Sequence, residues 1–240
     1  MTTVVVLAAD PREGGPLADL LEAGLDPAHG ARLYRALLGD IFGVLARSTV
    51  EILINYPSEE SLEPLREIAA EAMPADRYEA VRFEPQVGSD RSAIAGNAIT
   101  HLLREEGTQS AAVLDPRAPL LERSIVDEVA LKVRRSDVVL GPSGSGVFLA
   151  AFAEPIDFTD VFEGPALSAI AERAEEEGLT IDFARTRRIV DTPADLAVVA
   201  ERIRSRLLAE KPVPHRFTRA LAETPLEIGG HRIDLEGGGE

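Results

Sequence analysis

DVVLGPSGSGVFL (Asp137–Leu149), set beside RIVDTPADL (Arg188–Leu196), decides the fold. The first stretch reads as a buried strand over Asp137–Leu140, a glycine-rich turn over Gly141–Gly146 and a second strand from Gly146 to Ala151. The second reads as a short strand, Arg188–Val190, running into a helix that starts at Thr192. Thr192 is a side-chain cap, Pro193 fits the first helical position, and Asp195 can return the capping-box hydrogen bond. Both stretches place loops at strand ends, where open α/β sheets bind their ligands.

The rest of the chain keeps this alternation. Thr3–Ala8 (TVVVLA) is a continuous β-branched run, as expected of a strand covered on both faces. Asp26-Pro27 caps a helix that runs to Arg47, with Leu33, Leu37, Ile41 and Leu45 as its inward stripe. Strands at 50–56, 80–84, 110–114 and 179–183 alternate with helices at 61–72, 90–105, 124–133, 165–177 and 192–210. The expected architecture is three-layered, a mostly parallel twisted sheet with helices on both faces. No polar linker divides residues 1–210. From Lys211 the pattern breaks, because Pro212, Pro214 and Pro225 prevent a long helix. Residues 211–240 therefore read as a C-terminal extension, with a short hairpin turning at Gly229-Gly230.

Composition narrows the function classes. The 240-residue chain is 45% hydrophobic, enough for a sizeable core. It holds no cysteine, which excludes disulfides, thiolate metal sites and a cysteine nucleophile. The start lacks the basic and apolar regions of a signal peptide, and no apolar run is long enough for a membrane span, so the expected location is the cytoplasm. A net charge of −16 repels phosphate backbones, so nucleic acid is not an expected partner. Lys132 and Lys211 are the only lysines. An acid-rich, lysine-poor surface suits a salt-rich cytoplasm, since lysine stems add apolar area while carboxylates hold water. A GC-rich genome that encodes arginine for lysine is the alternative.

Few constellations carry chemistry. Gly141–Gly146 is not a P-loop, because Val147 follows it where lysine and Ser/Thr are needed. Nor is it a nucleophile elbow, because no helix follows. The histidines (His29, His101, His215, His231) show no metal-ligand spacing. Asp191 ends a strand on the ligand side, where a carboxylate can meet a metal, a ribose hydroxyl or only the helix N-terminus.

The order VVVLA with PREGG, then VLDPRAPLL, DVVLGPSGSGVFLAAF and RIVDTPADLAVV resembles a family of small glycosyltransferase-A-type proteins. These are nucleotide-diphospho-sugar transferase-like proteins of bacteria and archaea, similar to 2-phospho-lactate guanylyltransferase. The resemblance covers Thr3–Ile203 and, with the charge, implies a divergent haloarchaeal member. It places a donor nucleotide near Ala8, Ala9, Arg12, Gly14 and Gly15. Arg117, Gly141, Ser143, Gly144 and Ser145 would complete the nucleotide site.

The departures from the family pattern are pointed. Pro11, Arg12 and Gly14 remain, but the family's Lys-Thr-Arg-Leu tetrad is replaced by Pro16–Leu20. The Gly-Glu-Arg-Met stretch falls at Arg91–Ile94. The Ser-Asp-Cys-Pro turn becomes Pro116–Pro119, with Arg117 in place of the metal-holding aspartate. The Asp-Gly-Gly-Tyr-Tyr motif becomes Ser145–Phe148 without its carboxylate. If a catalytic Mg²⁺ or Mn²⁺ is held at all, Asp115 and Asp191 are the expected ligands, with Asp115 the catalytic candidate. Arg117 could instead neutralise a phosphate directly. Two functions follow. One is an active nucleotidyl- or glycosyltransferase using a nucleotide or nucleotide-sugar donor. The other, favoured by the missing carboxylates, is a protein of that fold that has lost metal-dependent catalysis and binds a nucleotide or a protein partner.

Overall fold

The computed structural model describes residues 1–12, 17, 20 and 25–224, and the backbone of 227–228 and 231–232. Seven strands form one sheet: β1 (Thr2–Leu7), β2 (Glu51–Tyr56), β3 (Arg82–Pro85), β4 (Ser110–Leu114), β5 (Val138–Ser143), β6 (Gly146–Phe152) and β7 (Ile181–Phe183). Their order is β3-β2-β1-β4-β6-β5-β7, parallel except for β6, which runs antiparallel to both neighbours. This is the expected three-layer α/β fold. Adjacent residues of β1 serve different layers: Val4 and Val6 enter one core, and Val5 enters the other. The first core is covered by helices α1 (Pro27–Ala46), α2 (Glu59–Ala72), α5 (Arg123–Lys132), α7 (Pro193–Leu208) and α8 (His215–Ala222). The second is covered by α4 (Arg91–Thr100) and α6 (Ala166–Glu176). A short α3 (Ala75–Glu79) leads into β3.

Three local expectations change. The glycine-rich turn is narrower than GPSGSG suggests, because β5 continues through Gly141, Pro142 and Ser143. Only Gly144 and Ser145 connect it to β6, with Ser143 paired to Gly146. Gly144 takes a φ of 60°, the positive value that a two-residue hairpin turn needs at its first position. Arg188–Val190 forms no strand among the described residues. It is an extended segment pinned by single hydrogen bonds, from Ile189 N to Ser143 Oγ (3.0 Å) and from Val190 N to the Arg117 carbonyl (2.8 Å).

The third change lies after Lys211. A short helix, α8, packs on α1 and buries Phe217 and Leu221 in the first core. Pro214 at its N-cap position offers no side-chain cap. The cap comes from α1: the Asp40 carboxylate accepts from Arg216 N (3.1 Å) and Phe217 N (2.8 Å). Gly39 allows the crossing, since a Cβ there would lie 2.6 Å from Arg216 Cδ. Downstream, Glu227–Ile228 and His231–Arg232 pair antiparallel as β8 and β9. Their Gly229-Gly230 connection lies outside the described residues.

Candidate functional site

The C-terminal ends of β1 and β4 open on one cluster of charge. Asp115 follows β4 directly, and its N–H donates to the Phe148 carbonyl of β6 at 2.8 Å. This fixes the carboxylate at the C-terminal end of a central strand, with its side chain only 2% exposed. Oδ1 accepts from Arg117 N (2.9 Å) and Nε (3.0 Å). Oδ2 accepts from Arg117 Nη2 (2.8 Å) and from Arg91 Nη2 (2.8 Å). The other Arg117 nitrogen, Nη1, donates to Asp191 Oδ1. One guanidinium therefore lies between the two carboxylates that the sequence offers as metal ligands.

The electrostatics follow from this packing. Burial alone would raise the Asp115 carboxyl, but the charges and hydrogen bonds of Arg91 and Arg117 outweigh it. Asp115 is held well below the usual carboxylate range and stays ionised. Burial opposes the charge on Arg117 too, yet Asp115 and Asp191 secure it. The Tyr34 hydroxyl, on α1, accepts from Ala9 N at 2.9 Å and ties the loop after β1 to this cluster. Burial pushes the Tyr34 hydroxyl up, and the negative charge of Asp115 pushes the same way, so it stays protonated.

The remaining sequence candidates divide. Ala8 is buried at the end of β1, and its carbonyl accepts from Gln86 Nε2 at 2.6 Å. The same amide also donates to the Asn55 carbonyl (2.9 Å), so Gln86 bridges the ends of β1 and β2. Arg12 folds back on Asp10, with Nε 2.9 Å from Oδ1. Gly14 and Gly15 lie outside the described residues. Gly141 serves packing: a Cβ there would lie 2.6 Å from the Phe148 ring. The Ser143 hydroxyl is engaged by Ile189 N, and the Ser145 carbonyl by Leu167 N (3.0 Å). Gly144 has nothing within 4 Å of where its Cβ would be.

Sequence reasoning did not single out Arg91, Tyr34 or Gln86 for the site. Arg91 carried a signal. It opens helix α4 behind the N-cap Asp90, and a cation at that end opposes the helix dipole. Such a residue needs a partner elsewhere, and it has two: Asp115 and the Phe162 ring, 5.0 Å from its Cζ. Tyr34 and Gln86 carried none, because one sits in an apolar helical stripe and the other in a loop.

The arrangement leaves little for a divalent cation to bind. Both oxygens of Asp115 already accept charge-assisted hydrogen bonds, and a cation bridging Asp115 and Asp191 would meet the Arg117 guanidinium. Among the described residues, no three His, Asp or Glu side chains gather as metal ligands would. As arranged, these residues do not fit Mg²⁺ or Mn²⁺.

The sheet order, with one reversed strand beside β4, defines a nucleotide-diphospho-sugar transferase-like fold. The solved structures it is similar to agree. A protein from Desulfovibrio desulfuricans G20 described as a nucleotide-diphospho-sugar transferase superposes with a TM-score of 0.75 at 19% identity, covering 92% of this chain and 94% of its own. A nucleotidyl transferase from Methanothermobacter gives 0.55 at 19% identity, covering 88% and 99%. A CMP:2-keto-3-deoxy-manno-octonic acid synthetase complexed with CTP gives 0.51 at 12% identity, covering 87% and 99%. No family model matches the sequence, and no curated protein matches it. No helix among the described residues is long and apolar enough to cross a membrane.

Proposed function

We propose that this chain binds a nucleotide or nucleotide sugar at the ends of β1 and β4, meets its phosphates with arginine, and has lost metal-dependent transfer. The observation that carries this reading is the Arg117 guanidinium set between Asp115 and Asp191, with Arg91 on the same buried carboxylate. Phosphoryl and glycosyl transfer need a positive charge held against phosphate oxygens. Here guanidinium groups already paired with carboxylates would supply it by sharing their N–H donors with phosphate oxygens, and guanidinium matches phosphate geometry bidentately. The half-exposed Arg91 and Arg12 side chains are the first donors an incoming phosphate would meet. The fold supports the nucleotide part of the reading through its likeness to transferases, one of them complexed with CTP.

An active, metal-dependent transferase is the second reading. It is favoured by the convergence of Asp115 and Asp191 on one guanidinium, because a swing of Arg117 would leave two carboxylates facing one place. Thermal unfolding separates the two. The chain is heated with GTP, CTP, UTP and sugar nucleotides, with and without Mg²⁺ at matched ionic strength. Ligand at about 100 times its Kd stabilises by about 2.7 kcal/mol. The proposal expects a stabilisation indifferent to Mg²⁺ and weakened by Arg12→Ala. A shift that requires Mg²⁺, or turnover of any donor, establishes the second reading. No shift with any nucleotide removes both and leaves a protein partner.

A further inference from the structure

A second cavity lies away from the cleft. Its volume is about 500 Å³, and neither Arg12, Asp115, Arg117 nor Asp191 lines it. It opens between α1, the β4–α5 loop, α7 and the 212–216 segment. Its floor is apolar, formed by Ile41, Val44, Leu120, Leu121 and Val213. Its rim carries four arginines, Arg47, Arg123, Arg206 and Arg216, against two carboxylates, Asp40 and Glu122. On a chain of net charge −16, such a concentration of guanidinium around one hollow is a local inversion of sign.

The carboxylates on the rim do not neutralise it. Asp40 is committed to the N-terminus of α8, and burial raises its carboxyl, with the two backbone N–H groups only partly offsetting this. Glu122 is shared by Arg206 (2.5 Å) and Arg187 (3.4 Å). Arg123 pairs with Asp127 outside the cavity at 2.9 Å. Arg216 donates to the Glu71 carbonyl at 2.8 Å and has no carboxylate within ion-pair distance among the described residues. The exposed Arg47 side chain makes no hydrogen bond or ion pair with any described residue. Its guanidinium lies back along α1 at Gly43, where a Cβ would sit 3.6 Å from Arg47 Nη1. The uncommitted guanidinium thus lies over Gly43, beside the Ala72 carbonyl that would also meet that Cβ at 3.5 Å, on the wall of the cavity.

From this juxtaposition of an apolar floor and an under-compensated arginine rim, we infer a second ligand site for a small amphipathic oxyanion. The ligand is a phosphate ester or a carboxylate with an apolar body. Its head is held by Arg47 and Arg216, and its body rests on Val44, Leu120 and Val213. Guanidinium groups take tetrahedral and planar oxyanions alike, which is the chemistry the two heads share. The apolar floor selects against a bare inorganic ion.

Calorimetric titration of the full chain at fixed ionic strength tests this, with phenyl phosphate, phenylacetate and inorganic phosphate as probes. Saturable binding of one phenyl phosphate or one phenylacetate per chain is expected, and whichever binds tighter identifies the head. Inorganic phosphate should bind at least about tenfold more weakly. Arg47→Glu should weaken the organic anion by about tenfold or more with only a small fall in the unliganded Tm, since the side chain is exposed and the one cost is a carboxylate at the C-cap of α1. Arg123→Glu, also exposed, should weaken it less. Absence of saturable binding by both organic anions overturns the inference. So does binding that survives Arg47→Glu and is lost in Arg12→Ala, since the anion would then occupy the nucleotide cleft.

Discussion

Asp115 and Asp40 are both carboxylates withdrawn from water beside an element they organise, yet the protein treats them in opposite ways. Asp115 faces two guanidinium groups and is held below its ordinary value of 3.8. Asp40 faces two backbone N–H groups and is raised above 3.8, burial being the largest cause. Both accept good hydrogen bonds. The difference is two hydrogen-bonded guanidinium groups on one side, against backbone N–H groups and an Arg216 guanidinium that makes no hydrogen bond to the carboxylate on the other. A helix N-terminus carries about half an elementary charge, too little to offset burial here, whereas two arginines more than offset it. The candidate site is therefore a fully ionised lattice, and the α1–α8 joint is a cap that carries an electrostatic cost.

The comparison breaks most visibly at Asp115. Asp115→Asn is expected to destabilise the chain by about 3–5 kcal/mol, read by urea unfolding, because Arg117 loses its principal buried partner. If the site is the ion lattice described, Asp115→Leu combined with Arg117→Met should recover most of that loss. A double variant as unstable as the single would show that packing, not charge, dominates there.

Asp40 predicts a smaller and more discriminating effect. Asp40→Ala removes the cap of α8 and should cost about 1–2 kcal/mol. Asp40→Asn keeps an acceptor for one of the two N–H groups but sets an amide NH2 against the other, so at pH 7 its stability should fall between those of the wild type and Asp40→Ala. A loss in Asp40→Asn as large as in Asp40→Ala would mean that both carboxylate oxygens are needed at that helix end.

The pH dependence is the finest test, because the signs differ. A depressed carboxyl contributes stability that is present above its unfolded value and lost as pH falls through the folded value. The wild-type advantage over Asp115→Asn should therefore hold at neutral pH and shrink below 3.8. A raised carboxyl contributes stability that is present at low pH and lost as pH rises through the folded value. The deficit of Asp40→Asn should therefore be smallest at neutral pH and grow on acidification. Parallel pH curves for the two variants would erase the distinction.

What could be read in the sequence follows the range of the forces involved. The Thr192–Asp195 capping box is written within four residues, and it forms as read, with Asp195 N donating to Thr192 Oγ1 at 3.2 Å. The β-branched run of β1 and the Asp26 cap of α1 are equally local. The short helix α8 stayed hidden because its cap is Asp40, 177 residues before Phe217. Arg188–Val190 has strand-like residues but meets β5 and the Arg117 loop through isolated hydrogen bonds, one of them to a side chain, rather than through a ladder. At the site, Asp115 and Arg117 could be named from the motif, but not the grip of one on the other. That depends on Asp191, 74 residues beyond Arg117, and on Arg91, 24 residues before Asp115.

The reversed strand β6 also bears on how the chain reaches its native state. It joins β5 through two residues, whereas the β1–β4 pairing brings Thr2 to Ser110 across 108 residues. Closing so short a hairpin takes about 1–10 microseconds, while distant parallel pairing must first overcome a large loop-closure entropy. The β5–β6 ribbon is thus the expected seed of the sheet, with β4 docking on it before β1 is enclosed. In kinetic terms, lesions at Gly144 should slow refolding, whereas lesions at the Thr2–Ser110 contact should chiefly accelerate unfolding.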